Sequence, residues 1–80
     1  MGFLYILQSE TSSRFYVGST DDLQRRVAEH IRGKNLATRG RGPWKLVHSE
    51  QLESLADARR REHETKRWKS ANLIRALIQS

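Results

Sequence analysis

Cysteine is absent from the 80-residue sequence, proline occurs once, and no apolar run approaches the length of a membrane span. Without thiolates, neither a disulfide nor a cysteine-ligated zinc site can form. A membrane-crossing helix needs about 20 apolar residues, so an integral membrane protein is not expected. The N-terminal stretch has no basic leader, which argues against a signal peptide. These absences together predict a soluble, cytoplasmic protein.

Positive charge is what the sequence has in excess. Lys and Arg number 15 against 9 Asp and Glu, a formal net charge of +6. A small basic protein attracts polyanions, of which DNA and RNA are the commonest. The alternative is that the charge serves solubility alone. Because so short a chain buries only a modest core, we expect a single domain over residues 1–80.

The first half of the chain predicts a β-hairpin followed by a helix. Residues prone to form strands occupy 3–8 and 14–19, and the polar segment between them favours an antiparallel turn. Thr20 is a good N-cap for the helix that follows, and Gly33 suits its end. Between them, apolar residues recur at helical spacing, at Leu23, Val27 and Ile31.

The second half predicts one strand and two helices. Residues 44–49 have strand character, and Ser54 with Asp57 forms an S-x-x-D helix start. That helix is expected to end near residue 68, and an apolar stripe predicts a last helix over 71–79. The order β-β-α-β-α-α indicates an α+β fold, with helices flanking a three-stranded, mostly antiparallel sheet.

Two polar residues border the apolar stripe of the first predicted helix. At about 100° per residue, Arg26 and His30 lie one turn apart beside Val27, whereas Arg25 points to solvent. Arg26 and His30 are therefore placed to line a cleft. The structural alternative is an arginine that extends along the surface and a half-buried histidine.

The second predicted helix carries one carboxylate on its inward face. Glu62 shares that face with Ala58 and Thr65, whereas the neighbouring charges point outward. A glutamate is rarely buried unless it is paired or binds a metal, so an ion pair with Arg26 or another cation and a catalytic role both stay open. Gly18 is also unusual, since a glycine within a strand often marks close approach by another group.

These residues resemble a known family. The segment Phe3-Leu4-Tyr5 and, eleven residues later, Tyr16-Val17-Gly18 are similar to the paired motifs that name the GIY-YIG nucleases. The similarity continues through 18–30, 39–44 and 61–69, as in the compact stand-alone members related to the nuclease domain of UvrC. The first motif departs from the pattern, because it keeps only its tyrosine.

The resemblance implies the GIY-YIG nuclease fold and a divalent-metal-dependent endonuclease that hydrolyses phosphodiester bonds in DNA, of the repair or recombination type. Glu62 would hold one Mg²⁺ or Mn²⁺ ion, and Arg26 would donate hydrogen bonds to the scissile phosphate. Tyr5 would act as general base with His30 as the onward proton acceptor, and Tyr16 would position the water or the phosphate. Which tyrosine is the base stays open.

Nucleic acid would bind through phosphate contacts from a further set of basic residues: Lys34, Arg39, Arg41, Lys45 and Arg61. Both tryptophans, Trp44 and Trp68, are expected in the core. Two other functions stay open, a non-catalytic nucleic-acid-binding module of the same fold and a protein-interaction domain with an acidic partner. A protein partner that targets the nuclease is also compatible with so short a chain.

Overall fold

The structure, a computed structural model, describes residues 1–33, 38, 40–68 and 71–79. Its elements are β1 (Gly2–Ser9), β2 (Phe15–Thr20), α1 (Leu23–Ile31), β3 (Trp44–Leu52), α2 (Leu55–Arg67) and α3 (Ala71–Gln79). The predicted α+β class and the order β-β-α-β-α-α are confirmed, although β3 runs three residues further than expected. Within these ranges no helix is long and apolar enough to cross a membrane.

The three strands form one sheet of order β2-β1-β3, with β1 in the centre. Both neighbouring strands run antiparallel to it, which confirms the predicted sheet. Tyr5 pairs with Gly18 on one side and with Ser49 on the other. A β-bulge between Ile6 and Leu7 shifts the register with β3 by one residue, because Ile6 pairs with His48 whereas Leu7 pairs with Leu46.

Side chains of β1 alternate between two apolar clusters, one on each face of the sheet. The first cluster is built on Leu4, Ile6 and Val17 and is covered from α3 by Ile74, Leu77 and Ile78. The second is built on Tyr5, Leu7 and Trp44 and is covered from α1 by Leu23 and Val27. Helix α2 packs against β1 and β2. Burial on both faces explains why β1 is a continuous apolar run rather than an alternating one.

Two expectations for α1 are wrong. Its N-cap is Asp22, whose side chain accepts a hydrogen bond from the backbone N–H of Arg25 at 3.2 Å, whereas Thr20 belongs to β2. Ile31 is 61% exposed and His30 only 1%. The helix therefore presents His30 to the sheet in its last turn. Burial of that imidazole is tolerated because both ring nitrogens have hydrogen-bond partners.

The expected ends of the other elements fit better. Gly33 follows α1 with a positive φ of 74°, a conformation that glycine adopts without strain. Ser54 caps α2, its hydroxyl oxygen accepting from the backbone N–H of Asp57 at 3.1 Å. Ala58 and Thr65 are fully buried, which confirms the inward face assigned to α2.

Ser9, the last residue of β1, ties together the two loops at that end of the sheet. Its buried hydroxyl donates to the backbone carbonyl of Arg41 at 2.8 Å. The same oxygen accepts from the backbone N–H groups of Thr11, at 3.3 Å, and Ser12, at 3.2 Å. The β1–β2 turn and the segment before β3 are thus held to one another through a single side chain.

The substitution Ser9→Ala is expected to lower the free energy of unfolding by about 1–3 kcal/mol, because it leaves backbone polar groups without a partner. Ser12→Ala removes an exposed hydroxyl from the same turn and should cost about 0.5 kcal/mol or less. Urea denaturation of both variants measures the difference. Equal losses would show that the Ser9 hydroxyl does not hold the two loops.

Candidate active site

Tyr5 lies directly on Gly18 of the neighbouring strand. A Cβ added at Gly18 would lie 2.4 Å from Cζ and from the phenolic oxygen of Tyr5. Only glycine leaves room for the tyrosine ring here, which confirms the expected close approach. Tyr5 is 2% exposed, so its hydroxyl needs a partner inside the protein.

That partner is His30 of α1. The Tyr5 hydroxyl lies 2.9 Å from Nε2 of His30, and Nδ1 lies 2.7 Å from the hydroxyl of Thr38. Burial lowers the pKa of His30, and the charge of Arg26 lowers it further, so the ring is neutral at pH 7. A neutral ring that donates from Nδ1 to Thr38 leaves Nε2 free to accept the phenolic proton of Tyr5.

Tyr16 completes a cluster of three rings from β1, β2 and α1, which we call the ring cluster (Tyr5, Tyr16 and His30). The Tyr16 centroid lies 6.3 Å from that of Tyr5 and 4.9 Å from that of His30. Tyr16 is half-buried, whereas the other two rings are fully buried. Tyr16 is therefore the member of the ring cluster that is accessible from solvent.

Charged groups act on this cluster from both helices. Burial raises the pKa of Tyr5 above its usual range, and Tyr16 and Glu62 act in the same direction, whereas Arg26 opposes them. Tyr5 is therefore a neutral phenol at pH 7. Arg26 lies one helical turn before His30 on α1, and Lys66, which binds Glu62, lies 6.0 Å from the Tyr16 ring centroid, so both predicted catalytic charges border the ring cluster.

Arg26 has hydrogen-bonding capacity to spare. Its Nη1 lies 3.6 Å from Oε1 of Glu29, and its Nε is buried without an acceptor among the described residues. A buried donor that lacks a partner costs about 1–3 kcal/mol. An anion bound beside the ring cluster would satisfy it, and the planar fork of arginine suits phosphate oxygens.

Glu62 of α2 is held by two donors. The hydroxyl of Ser19 donates to Oε1 at 2.5 Å, and Nζ of Lys66 donates to Oε2 at 2.6 Å. Lys66 also lies 6.0 Å from the centroid of the Tyr16 ring. The side chain of Glu62 is 22% exposed and that of Lys66 is 51% exposed. The ion pair considered as the structural alternative therefore forms with Lys66 rather than Arg26, and it is open to solvent.

The surroundings of Glu62 fit a divalent cation of the hard, oxygen-binding type. One carboxylate and the nearby hydroxyl of Ser19 would be the oxygen ligands available there, and the position already accommodates the positive charge of Lys66. Mg²⁺ typically takes one or two carboxylates and completes its shell with water and substrate phosphates. Among the described residues there is no group of three or more His, Cys, Asp and Glu side chains that could hold a metal ion.

Comparison with known proteins identifies the family of this chain. A family model described as the GIY-YIG catalytic domain matches residues 1–75. The chain belongs to the GIY-YIG family. This is a family of nucleases that generally use a divalent metal and act on nucleic acid.

Several relatives within the family are UPF0213 proteins. One from Natronomonas pharaonis is 45% identical over 65 residues, which cover 80% of this chain and 75% of the relative. Another, from Halobacterium salinarum, is 40% identical over 72 residues, or 89% and 92% of the two chains. The solution NMR structure of a UPF0213 protein from Bacillus halodurans matches with a TM-score of 0.60 and 36% identity, covering 99% of this chain and 84% of that one. The family model and these relatives each cover most of the chain.

Of the predicted phosphate-binding residues, the structure describes Arg41, Lys45 and Arg61, and these three lie in different surroundings. Lys34 and Arg39 lie outside the described residues. Arg41 lines a groove beside Tyr16. Lys45 is exposed on the sheet face opposite Trp44, because neighbours in a strand alternate.

Arg61 is already bound to another part of the protein. Its Nε and Nη2 donate to the two carboxylate oxygens of Glu50 at 3.0 and 3.3 Å, and its guanidinium lies 5.6 Å from the Trp68 ring centroid. Although burial alone would raise the pKa of Glu50, the hydrogen bonds from Arg61 and His48 outweigh it and lower that pKa. Arg61 thus points to β3 while its neighbour Glu62 points to β2.

Three residues of the site were not singled out from the sequence. Lys66 had a usable signal, because it lies four residues after Glu62 on the same helix, the spacing of a helical ion pair. Ser19 and Thr38 had none, since each meets its partner only through the fold. Ser19 contacts Glu62 across 43 positions of sequence.

The substitution Gly18→Ala is expected to displace the Tyr5 ring and break its contact with His30, because the new methyl group occupies the position of the phenol. We expect a loss of about 1–3 kcal/mol of stability from overpacking and altered side-chain ¹⁵N shifts of His30. Val17→Ala, on the opposite sheet face, is the control for lost stability alone. If the two variants show the same His30 spectrum, Gly18 does not position Tyr5.

His30 should make the protein less stable in mild acid. The pKa of His30 is lower in the folded chain than in the unfolded chain, where it is about 6.5. As the pH falls below that value, the unfolded state binds a proton that the folded state does not, so stability decreases. Urea denaturation between pH 8 and pH 5 should show a smaller decrease for His30→Gln than for the exposed-site control His63→Gln. Parallel profiles would contradict this role for His30.

Proposed function

We propose that this protein is a divalent-metal-dependent endonuclease that hydrolyses phosphodiester bonds in DNA. One observation supports this above all others: four elements bring the ring cluster, Arg26 and Glu62 to the same place. The set contains a proton-transfer pair, a cationic donor for phosphate and a carboxylate open to solvent. These are the groups that phosphodiester hydrolysis requires.

Arg26 is proposed to bind the scissile phosphate. Its buried Nε lacks an acceptor, and its ion pair with Glu29 at 3.6 Å is long, so its donors are available to an anion. Negative charge on the phosphate oxygens increases as water attacks. A fixed guanidinium stabilises that charge more strongly than it stabilises the ground state, which lowers the barrier.

Tyr5 and His30 are proposed to remove the proton from the attacking water as one unit. Because burial keeps Tyr5 protonated, the phenol acts as base only if its own proton moves to Nε2 of His30 at the same time. The pKa of His30 is low partly because of Arg26. A phosphate bound to Arg26 offsets that charge and makes the imidazole a better proton acceptor.

Tyr16 is proposed to orient the water or the phosphate. It is the ring-cluster member with an exposed surface, and it lies between the buried pair and the groove that Arg41 lines. Its contact with Lys66 places it near Glu62 as well. Tyr16→Phe should therefore affect the rate independently of Tyr5→Phe.

Glu62 is proposed to hold one Mg²⁺ or Mn²⁺ ion, which when bound supplies charge neutralisation at the scissile phosphate and the leaving oxygen. Without a metal ion, Glu62 forms an ion pair with Lys66. The side chain of Lys66 is half-exposed, so it is able to turn to solvent when the ion binds. Ser19 keeps the carboxylate oriented through its hydrogen bond. The local donors thus fix Glu62 without closing it off.

The proposal extends to the setting of the reaction. Residues 1–80 would act as one domain in the cytoplasm on nicked or branched DNA, of the kind processed in repair and recombination. The net charge of +6 supports a nucleic acid substrate. A targeting partner protein would add the selectivity that a chain of this size supplies poorly.

The deciding experiment incubates the purified protein with nicked, branched and flapped DNA in the presence of Mg²⁺ or Mn²⁺. Wild-type protein should cut at least one substrate, and chelation should stop it. Glu62→Gln and Arg26→Ala should each lower the cleavage rate by about 100-fold or more, while DNA binding largely survives. Tyr5→Phe and His30→Gln should have similar effects that do not add in the double variant.

Matched controls come from the same helices. Arg25→Ala and Glu64→Gln change exposed side chains one or two positions away and should leave cleavage within about twofold of wild type. Binding without cutting would favour a non-catalytic nucleic-acid-binding module. Neither binding nor cutting would favour a protein-interaction domain.

A further inference from the structure

A groove of about 590 Å³ extends away from Tyr16, which is the one residue that it shares with the groups used in the proposed chemistry. Besides Tyr16, it is lined by Thr11, Ser12, Arg14, Phe15, Arg41 and Trp44. Pockets for small ligands typically measure about 300–1,000 Å³, so the groove has the size to hold a nucleotide unit. One wall is the β1–β2 turn, and the other is the segment that precedes β3.

We propose that this groove is a subsite for unpaired nucleotides adjoining the scissile bond, so that the substrate is DNA with a single-stranded stretch. This inference rests on the proposed function, because Tyr16 belongs both to the groove and to the ring cluster. A strand that places its phosphate at Arg26 therefore has its neighbouring nucleotides at this groove.

The charges of the groove suit a phosphate backbone. Among the described residues, no carboxylate lies within ion-pair distance of Arg14 or Arg41, and both side chains are exposed. Arg61, in contrast, is held by Glu50 at 3.0 Å. An arginine without an internal partner binds phosphate without first breaking an ion pair. The groove thus contains cationic groups that the fold leaves available.

The aromatic residues of the groove suit exposed bases. Tyr16 is half-buried, so part of its ring remains accessible from the groove. Trp44 lies underneath, its Nε1 donating to the carbonyl of Thr38 at 2.9 Å and its ring centroid 6.4 Å from that of Tyr16. Stacking of a base on an aromatic side chain contributes to single-strand binding whatever the base.

The walls of the groove are fixed before any ligand arrives. The hydroxyl of Ser9 joins the β1–β2 turn to the carbonyl of Arg41, as described above. A second link joins the same two segments, since the backbone N–H of Glu10 donates to the carbonyl of Pro43 at 2.8 Å. A site held open in this way loses little entropy when a ligand binds.

An unpaired strand fits these features better than a duplex. Within a duplex, the base faces are stacked on each other and are not available to protein side chains. A single strand presents both its phosphates and its base faces, which match the arginines and the aromatic rings of the groove. The geometry therefore favours flaps, gaps or frayed ends over continuous duplex.

The test measures binding without cleavage, with EDTA present. Fluorescence anisotropy gives the affinity of wild-type protein for a labelled eight-nucleotide deoxyuridine strand, a matched uridine strand and a blunt duplex. The double variant Arg14→Ala/Arg41→Ala removes two phosphate contacts, so its affinity for the single strand should fall about tenfold. Raising the salt from 50 to 200 mM should weaken wild type about sevenfold more than the variant, from about 0.7 counterions per contact.

The matched control is Arg59→Ala/Arg75→Ala, which removes two exposed arginines that do not line the groove. Its affinity and salt dependence should stay close to wild type. Circular dichroism checks that both double variants are folded. Weaker binding of the deoxyuridine or the uridine strand in the groove variant alone supports the subsite, and the comparison of the two strands, which differ only in the 2′-hydroxyl, shows which sugar it prefers.

Two results would overturn the subsite: equal binding by the groove variant and the control, or tighter binding of wild type to blunt duplex than to the single strand. Failure of the proposed nuclease function looks different. In that case no DNA is cut in Mg²⁺ or Mn²⁺, whereas the single-strand binding measured in EDTA still depends on Arg14 and Arg41.

Discussion

The contact between Tyr5 and Gly18 is the constraint on which the site depends. The phenol occupies the space that any Cβ at position 18 would take, 2.4 Å from its oxygen. From there its hydroxyl reaches His30, and burial of His30 in turn sets the rotation of α1 and leaves Ile31 at the surface. Arg26, one turn earlier on α1, is thereby placed beside the same rings. A single small residue in β2 thus determines where the groups of a helix lie.

The distribution of charge separates two classes of basic residue. Carboxylates of the fold hold Arg25, Arg26, Arg60, Arg61 and Lys66. Arg14 and Arg41, which border the groove, have no such partner among the described residues. Within the first class, Arg26 and Lys66 remain accessible to solvent beside the ring cluster, whereas Arg61 is fixed between Glu50 and Trp68. The net charge of +6 is therefore not spread evenly over positions that are available to a polyanion.

Much of the fold was predictable because it follows from local patterns. Strand and helix order, the Ser54 cap and the α3 range came from hydrophobic periodicity and capping residues, and the structure confirms them. The errors arose where tertiary contacts override local preference. Thr20 has a side chain suited to an N-cap, but it is the last residue of β2. Ile31 has the spacing of a core residue, but it is exposed and His30 is buried against the sheet instead.

The sequence by itself determined the family, the fold class and the choice of Tyr5, Tyr16, Arg26, His30 and Glu62 as candidates, because motif spacing and side-chain chemistry can be read from the linear sequence. Their catalytic roles remain predictions. Only the tertiary structure decided which partners they have: Lys66 rather than Arg26 for Glu62, Thr38 for His30, and Glu50 for Arg61. Such pairings depend on strand register and helix rotation, which are set by packing over the whole chain and leave no periodic signal in the sequence.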